Sequence, residues 1–219
     1  MNELNIYETF TSIQGESTYA GLPCYFIRLA GCNLRCSYCD TRKAQTPAHA
    51  RLCSIEELVA GAIEHAPELI EITGGEPMEQ KGGVCMLAER LLSLKRFRIL
   101  METNGSKDLS YLPYEVIRIV DYKTPSSGEE QKMFLPNFRS LRPFDEVKFV
   151  ISDRADYCFA VEKIKEFEME RQTRNLLLSP AYGTIDIPEL VDWMLHDQLK
   201  ARLNLQLHKY IWGPAREGV

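Results

Sequence analysis

Cys32-Asn33-Leu34-Arg35-Cys36-Ser37-Tyr38-Cys39-Asp40-Thr41 crowds three cysteines into eight residues at the spacing C-x3-C-x2-C. That spacing lets one loop present three thiolates to a compact metal centre. A [4Fe–4S] cube ordinarily takes four cysteine ligands, one per iron. Three local ligands leave one iron open, and an open iron can hold a small molecule. Two other readings compete: a zinc knuckle with a distant fourth ligand such as Cys24 or Cys53, and a redox pair in an ordinary thiol loop. Zinc sites usually combine paired C-x2-C units into a closed shell, which this spacing does not offer. Cys24, Cys53, Cys85 and Cys158 are scattered with no second cluster spacing and read as small hydrophobes.

On either side of this loop the chain alternates strand and helix signals. The apolar run Cys24–Leu29 predicts a strand that leads straight into the cysteines. Further strands are expected at Leu69–Thr73, Arg98–Glu102, Val116–Val120, Glu146–Ile151 and Asn175–Ser179, with a last extended piece at Leu203–Leu207. Between them, Ser54-Ile55-Glu56-Glu57 is a capping box that opens a helix. Val84–Leu94, Tyr157–Phe167 and Ile187–Leu199 carry helical spacing. Residues 5–23 read as turn-rich, and residues 124–142 as an irregular polar excursion. Residues 213–219 form a short tail. This order implies an α/β fold with a mainly parallel sheet, in which chemistry collects at the C-terminal ends of strands. The polar clusters Gly74-Gly75-Glu76, Glu102-Thr103-Asn104 and Asp121-Tyr122-Lys123 all follow strands, as the cysteine loop does.

At 219 residues the length suits one domain, 1–219, with a substantial core. A net charge of −5 argues against a nucleic-acid partner held by a basic surface. No apolar run is long enough to span a membrane, and Met1–Asn5 lacks the pattern of a secretory signal. Seven cysteines, an odd number with three in one loop, fit a reducing compartment, so a cytoplasmic location is expected.

The three cysteines, Tyr38 before the third of them, and Gly74-Gly75-Glu76-Pro77 together resemble the radical S-adenosylmethionine (SAM) superfamily, whose members typically form a partial (β/α)6 barrel. Ser12-Ile13-Gln14-Gly15-Glu16-Ser17, Cys39-Asp40-Thr41 and Gln206-Leu207-His208-Lys209 narrow the likeness to the 7-carboxy-7-deazaguanine synthase family of the queuosine pathway. The resemblance covers residues 5–212; residues 124–142 match no family feature. It implies ring contraction of 6-carboxy-5,6,7,8-tetrahydropterin to 7-carboxy-7-deazaguanine with loss of ammonia, a lyase reaction. A reduced [4Fe–4S] cluster would cleave SAM, and the resulting radical would abstract hydrogen from the pterin carbon bearing the carboxylate. The resemblance further implies Mg2+, a homodimer, and a reductant such as a flavodoxin or ferredoxin.

It also implies roles for particular residues, each with a plainer alternative. Cys32, Cys36 and Cys39 would ligate the cluster. Tyr38, Gly74, Gly75, Glu76, Thr103, Asn104 and Lys123 would meet SAM, Glu76 as an acceptor for its ammonium; a Gly-Gly-x-Pro βα turn serves packing equally well. Thr41 would contact Mg2+, although a Thr after Asp is also a common cap or turn residue. Gln14, Gly15, Glu16, Arg28, Glu102 and His208 would contact substrate. Against that, Gln14 and Glu16 suit a solvated turn, Arg28 an outward position or a structural ion pair, and His208 a core site. Lys123 or Lys148 would suit carboxylates, and Lys209 reads as a surface residue. Two rival functions share part of the pattern: a glycyl-radical enzyme activase, and a zinc-stabilised binding module.

Overall fold

A computed structural model of the chain describes residues 2–214, 216, 218 and 219. Its strands are β1 (Glu3–Ile13), β2 (Pro23–Leu29), β3 (Arg51–Ser54), β4 (Leu69–Gly74), β5 (Arg98–Thr103), β6 (Ile117–Asp121), β7 (Glu146–Ile151), β8 (Asn175–Pro180) and β9 (Arg202–Leu203). Its helices are α1 (Ile55–His65), α2 (Lys81–Ser93), α3 (Pro136–Arg139), α4 (Arg154–Glu166), α5 (Met169–Gln172), α6 (Ile187–His196) and α7 (Leu207–Trp212). One nine-stranded sheet runs in the order β3-β1-β2-β4-β5-β6-β7-β8-β9. From β2 to β9 every pairing is parallel, while β1 joins both β2 and β3 antiparallel. The sheet is open at β3 and β9, which makes the curved wall a partial barrel.

Strand side chains alternate between two faces, and the two faces differ in chemistry. One set, including Ile70, Ile72, Ile99, Met101, Val147 and Phe149, is buried in the main core with Leu58, Leu87, Leu91, Ala160 and Ile164 from the helices. The opposite set is apolar only at one end. Cys24, Phe26, Leu69, Leu100, Ile117 and Ile119 form a small second core, packed by Phe10, Tyr19 and Phe144. Further along the same strands this face turns polar, at Arg28, Glu71, Thr73, Glu102, Asp121, Lys148 and Ser179. An apolar floor with a polar wall above it is therefore written into single strands.

Helix α1 starts where the capping box places it, with Ser54 Oγ accepting from Glu57 N at 3.1 Å. The Glu57 carboxylate completes no box; it pairs with Arg51 instead. The N-terminal segment departs from expectation, because Glu3–Ile13 is a strand of 11 residues, not a run of turns. Leu4 and Ile6 anchor it in the main core, and the rest of its length is only half buried, which hid the period-two signal. Near the end of the chain, the extended piece expected at Leu203–Leu207 is reduced to the two-residue strand Arg202–Leu203, and Leu207 already opens α7.

The excursion at 124–142 is irregular as read, and it braces the cysteine loop. Ser37 N donates to Ser127 O at 3.1 Å, Ser37 Oγ donates to Ser126 O at 2.5 Å, and Arg35 N donates to Glu129 Oε1 at 2.6 Å. Among the described residues, no helix is long and apolar enough to cross a membrane.

The turn after β4 locks two backbones together. Gly74 has φ +141°, and a Cβ there would lie 2.2 Å from Leu29 O; a Cβ on Gly75 would lie 2.2 Å from Gly31 O. Both glycines are thus required by contact with the backbone that leads into the cysteine loop. Gly74→Ala is expected to cost about 3 kcal/mol or more of stability. Gly82→Ala, on α2 with nothing within 4 Å of the added Cβ, should gain about 0.5 kcal/mol. Denaturant melts of the two apoprotein variants check both directions.

Candidate active site

A cavity of about 620 Å³ opens at the C-terminal ends of the parallel strands. Cys32, Cys36 and Cys39 lie along its wall with Tyr38 and Thr41. Two donors reach the first thiol: Leu34 N at 3.4 Å and Asn104 Nδ2 at 3.7 Å from Cys32 Sγ. N–H groups aimed at sulfur stabilise metal-bound thiolates by hydrogen bonding to their charge. Burial pushes the Cys36 thiol up to about 11, against the pull of nearby Lys123. A thiol so placed keeps its proton until a metal displaces it. Three cysteines on one loop fit a cluster with an open iron.

Neither cysteine weighed as a fourth zinc ligand reaches the loop. Cys24 is fully buried in the small core and Cys53 in the main one, and neither lines the cavity. Among the described residues, no three His, Cys, Asp or Glu side chains are gathered as they would be around a single ion.

Gly74, Gly75, Thr103, Asn104 and Lys123 all border the cavity. Glu76, expected to face SAM, does not. It is fully buried, with Oε1 accepting from Met78 N at 2.9 Å and Thr103 Oγ1 at 2.8 Å, and Oε2 from Asn104 N at 2.7 Å. Its carboxylate is consumed in tying the β4 turn to the end of β5. Asn104 in turn donates to Asn33 Oδ1 at 3.0 Å, which links the same strand end to the cysteine loop. Lys123 Nζ lies 2.5 Å from Asp121 Oδ2. Burial works against its charge, but Asp121, then Tyr38 and Cys36, outweigh burial and raise its pKa.

The expected substrate residues converge on the same space. Arg28 lines it while holding the structural ion pair weighed above, Nε to Glu8 Oε1 at 2.9 Å. Glu16 accepts from Lys148 Nζ at 3.1 Å, Gln206 Nε2 at 2.8 Å and Asn204 Nδ2 at 3.4 Å. Its carboxyl falls below the usual range because Lys148 and Gln206 together offset the burial that would raise it. Gly15 packs so closely on His208 that a Cβ would sit 2.2 Å from Nδ1. Burial lowers the His208 pKa and favours the neutral ring. Thr41 Oγ1 donates to Asp40 Oδ1 at 3.1 Å and caps no helix, although the short turn Arg42–Gln45 follows it. Lys209, read as a surface residue, is tucked in: its side chain is 9 % exposed and Nζ lies 3.1 Å from Asp40 Oδ2 and 2.6 Å from Gln206 Oε1.

Sequence reading missed the centre of the polar wall. Lys148, taken as a partner for substrate carboxylates, is already engaged by Glu16, by Glu102 and by Asp121 Oδ1 at 3.4 Å. Glu71, on β4, accepts a hydrogen bond from Gln14 Nε2 and was masked by the apolar residues around it. A charged residue inside a short apolar strand was the one available signal.

An open, mainly parallel α/β wall carrying three loop cysteines at its strand ends defines a radical SAM enzyme, with a [4Fe–4S] cluster and SAM as its cofactors. The Radical SAM superfamily model matches residues 26–122. The chain is 42 % identical over 229 residues to the 7-carboxy-7-deazaguanine synthase of Koribacter versatilis, covering 99 % of this chain and 100 % of that one. It is 38 % identical to the enzyme of the same name from Chlorobaculum tepidum, covering 99 % and 97 %. The crystal structure of QueE from Escherichia coli superposes with a TM-score of 0.73 at 22 % identity, covering 93 % of this chain and 94 % of that one. This chain belongs to the 7-carboxy-7-deazaguanine synthase family.

The pKa of Glu71 is raised well above 4.5, by burial first and by Glu102 next, against the pull of Lys148 and Gln14. The folded protein therefore holds this proton more tightly than the unfolded chain does. The stability it lends is complete below about pH 4.5 and is lost as pH rises through the folded-state value. Glu71→Gln, shaped like the acid but unable to ionise, is expected to gain melting temperature relative to wild type as pH is raised from about 4 to about 8. Thermal melts of the two apoproteins across that range check it.

Proposed function

We propose that this protein contracts the ring of 6-carboxy-5,6,7,8-tetrahydropterin to 7-carboxy-7-deazaguanine with release of ammonia, supplying a queuosine precursor. The observation that carries this reading is the polar wall of Gln14, Glu16, Arg28, Glu102 and Lys148 facing the cysteine loop across one cavity, in a chain whose relatives carry the synthase name over their full length. When bound, the cluster and SAM supply a 5′-deoxyadenosyl radical.

The chain's own side chains supply position. Arg28 keeps part of its guanidinium free of Glu8 and can fork onto the substrate carboxylate. Thr41 offers a hard oxygen beside the cysteines, suited to an Mg2+ whose remaining ligands are water and that carboxylate. Gln14, Gly15, Glu16, Glu102 and His208 surround the ring. Gly74, Gly75, Thr103, Asn104, Tyr38 and Lys123 border the SAM side. Glu76 acts one step back, through Thr103 and Asn104. The protein would work as a one-domain homodimer in the cytoplasm, with electrons from a flavodoxin or ferredoxin.

An activase would need an open face for a protein substrate, whereas here residues 14–16 and 204–209 interlock around a small polar ring site. That interlock favours the pterin reading. The anaerobically reconstituted protein, given dithionite and SAM, is expected to form 5′-deoxyadenosine faster when the carboxypterin is present. Cys36→Ala should abolish both this activity and the iron–sulfur absorbance, and cleavage indifferent to the pterin would exclude the substrate. Thr41→Ala should flatten the rate response to added Mg2+; an unchanged titration would remove Thr41 from that role.

A further inference from the structure

Glu71 stands apart from the other carboxylates of the cavity. Glu16, Glu102 and Asp121 share Lys148, and Asp121 also holds Lys123. Glu71 is 3 % exposed and no cationic side chain among the described residues forms an ion pair with it. Among the described residues, its carboxylate accepts one protein hydrogen bond, from Gln14 Nε2 to Oε2. The direction of that amide is fixed, because Gln14 Oε1 accepts from Glu16 N at 3.0 Å. Oε2 is therefore the acceptor oxygen, and a proton on this carboxyl sits on Oε1. Glu71 lines the cavity, and among the described residues no protein hydrogen bond is made to its Oε1.

Register gives the depth of this group. Arg28 is paired with Thr73 and Phe26 with Glu71, so Glu71 lies two residues below Arg28 along the wall, about 6.6 Å. Phe26 and Ile119, of the apolar floor, line the cavity at that end. A fused bicyclic ring with a carboxylate on one corner carries its 2-amino group on the diagonally opposite corner. With the carboxylate on Arg28 beside the cysteine loop, the 2-amino end points down toward Glu71, its faces against Phe26.

We propose that Glu71, as a carboxylic acid, is a specificity-determining residue that donates a hydrogen bond from Oε1 to N1, the hydrogen-free ring nitrogen beside the 2-amino group. This rests on the pterin reading of the same site. In a 2-oxo ring that nitrogen carries hydrogen and meets the Glu71 proton as a second donor, so the acid selects the 2-amino compound.

The test compares kcat/KM for the carboxytetrahydropterin and for its 2-oxo counterpart, the carboxytetrahydrolumazine, in reconstituted holoenzyme. Glu71→Met, similar in length and apolar, is expected to cut the preference for the 2-amino ring about tenfold, mostly through KM. Glu71→Gln keeps a donor facing the cavity, because Gln14 still claims its oxygen, and should restore most of the preference. Melting temperatures at or above wild type establish that both variants fold. An unchanged preference in Glu71→Met overturns the proposal. So does a Glu71→Gln variant that loses the preference as fully as Glu71→Met, since that result requires an ionised acceptor. Should wild type itself show no pterin-dependent 5′-deoxyadenosine, the substrate reading fails first, before any variant is compared.

Discussion

A single buried ammonium, Lys148 Nζ, meets carboxylates from three separate parts of the chain: Glu16 after β1, Glu102 on β5 and Asp121 on β6. Taking any of these charges out of water is expensive, and mutual attraction at short range offsets the cost only when the geometry is tight. The cluster therefore sets how the inner wall can be built. Strands must bring these side chains to one height, and the segment around Glu16 must fold back across the barrel mouth to complete the set. The cavity can be polar and still stable because its charges are balanced around this point.

The cysteine loop depends on a different constraint, the close approach of backbones. Gly74 and Gly75 press against Leu29 and Gly31, and Glu76 ties the turn to Thr103 and Asn104. Asn104 then touches Cys32 Sγ and Asn33, while Glu129 and the Ser126–Ser127 backbone hold the loop from the opposite side. The thiols are presented by a loop fixed at several points, as a site that must hold a cluster in one orientation requires.

Most of the architecture was legible because parallel strands buried on both faces leave mainly apolar runs, as at Arg98–Thr103 and Glu146–Ile151, and because Ser54 announces a helix start. β1 was not, since an antiparallel strand near the sheet edge with much of its length half-exposed alternates weakly. β3, four residues long, gives too short a pattern to register. The cysteines, the glycine turn and the residues at strand ends were legible because spacing in sequence fixed them in space. Where a side chain points was not. Glu76 turns inward to protein donors, Lys209 folds under to Asp40, and Glu71 hides among Ile70 and Ile72 although it faces the other way. Such directions depend on partners that sequence distance conceals.

Glu16 receives donors from Asn204 and Gln206, 188 and 190 positions away, and Gly15 O accepts from Leu207 N at 2.8 Å. During synthesis on the ribosome, this seam can close only after nearly all of the chain has emerged. The sheet can gather strand by strand beforehand, but the chamber gains its final side last, so an interrupted translation product is left with an unfinished reaction vessel.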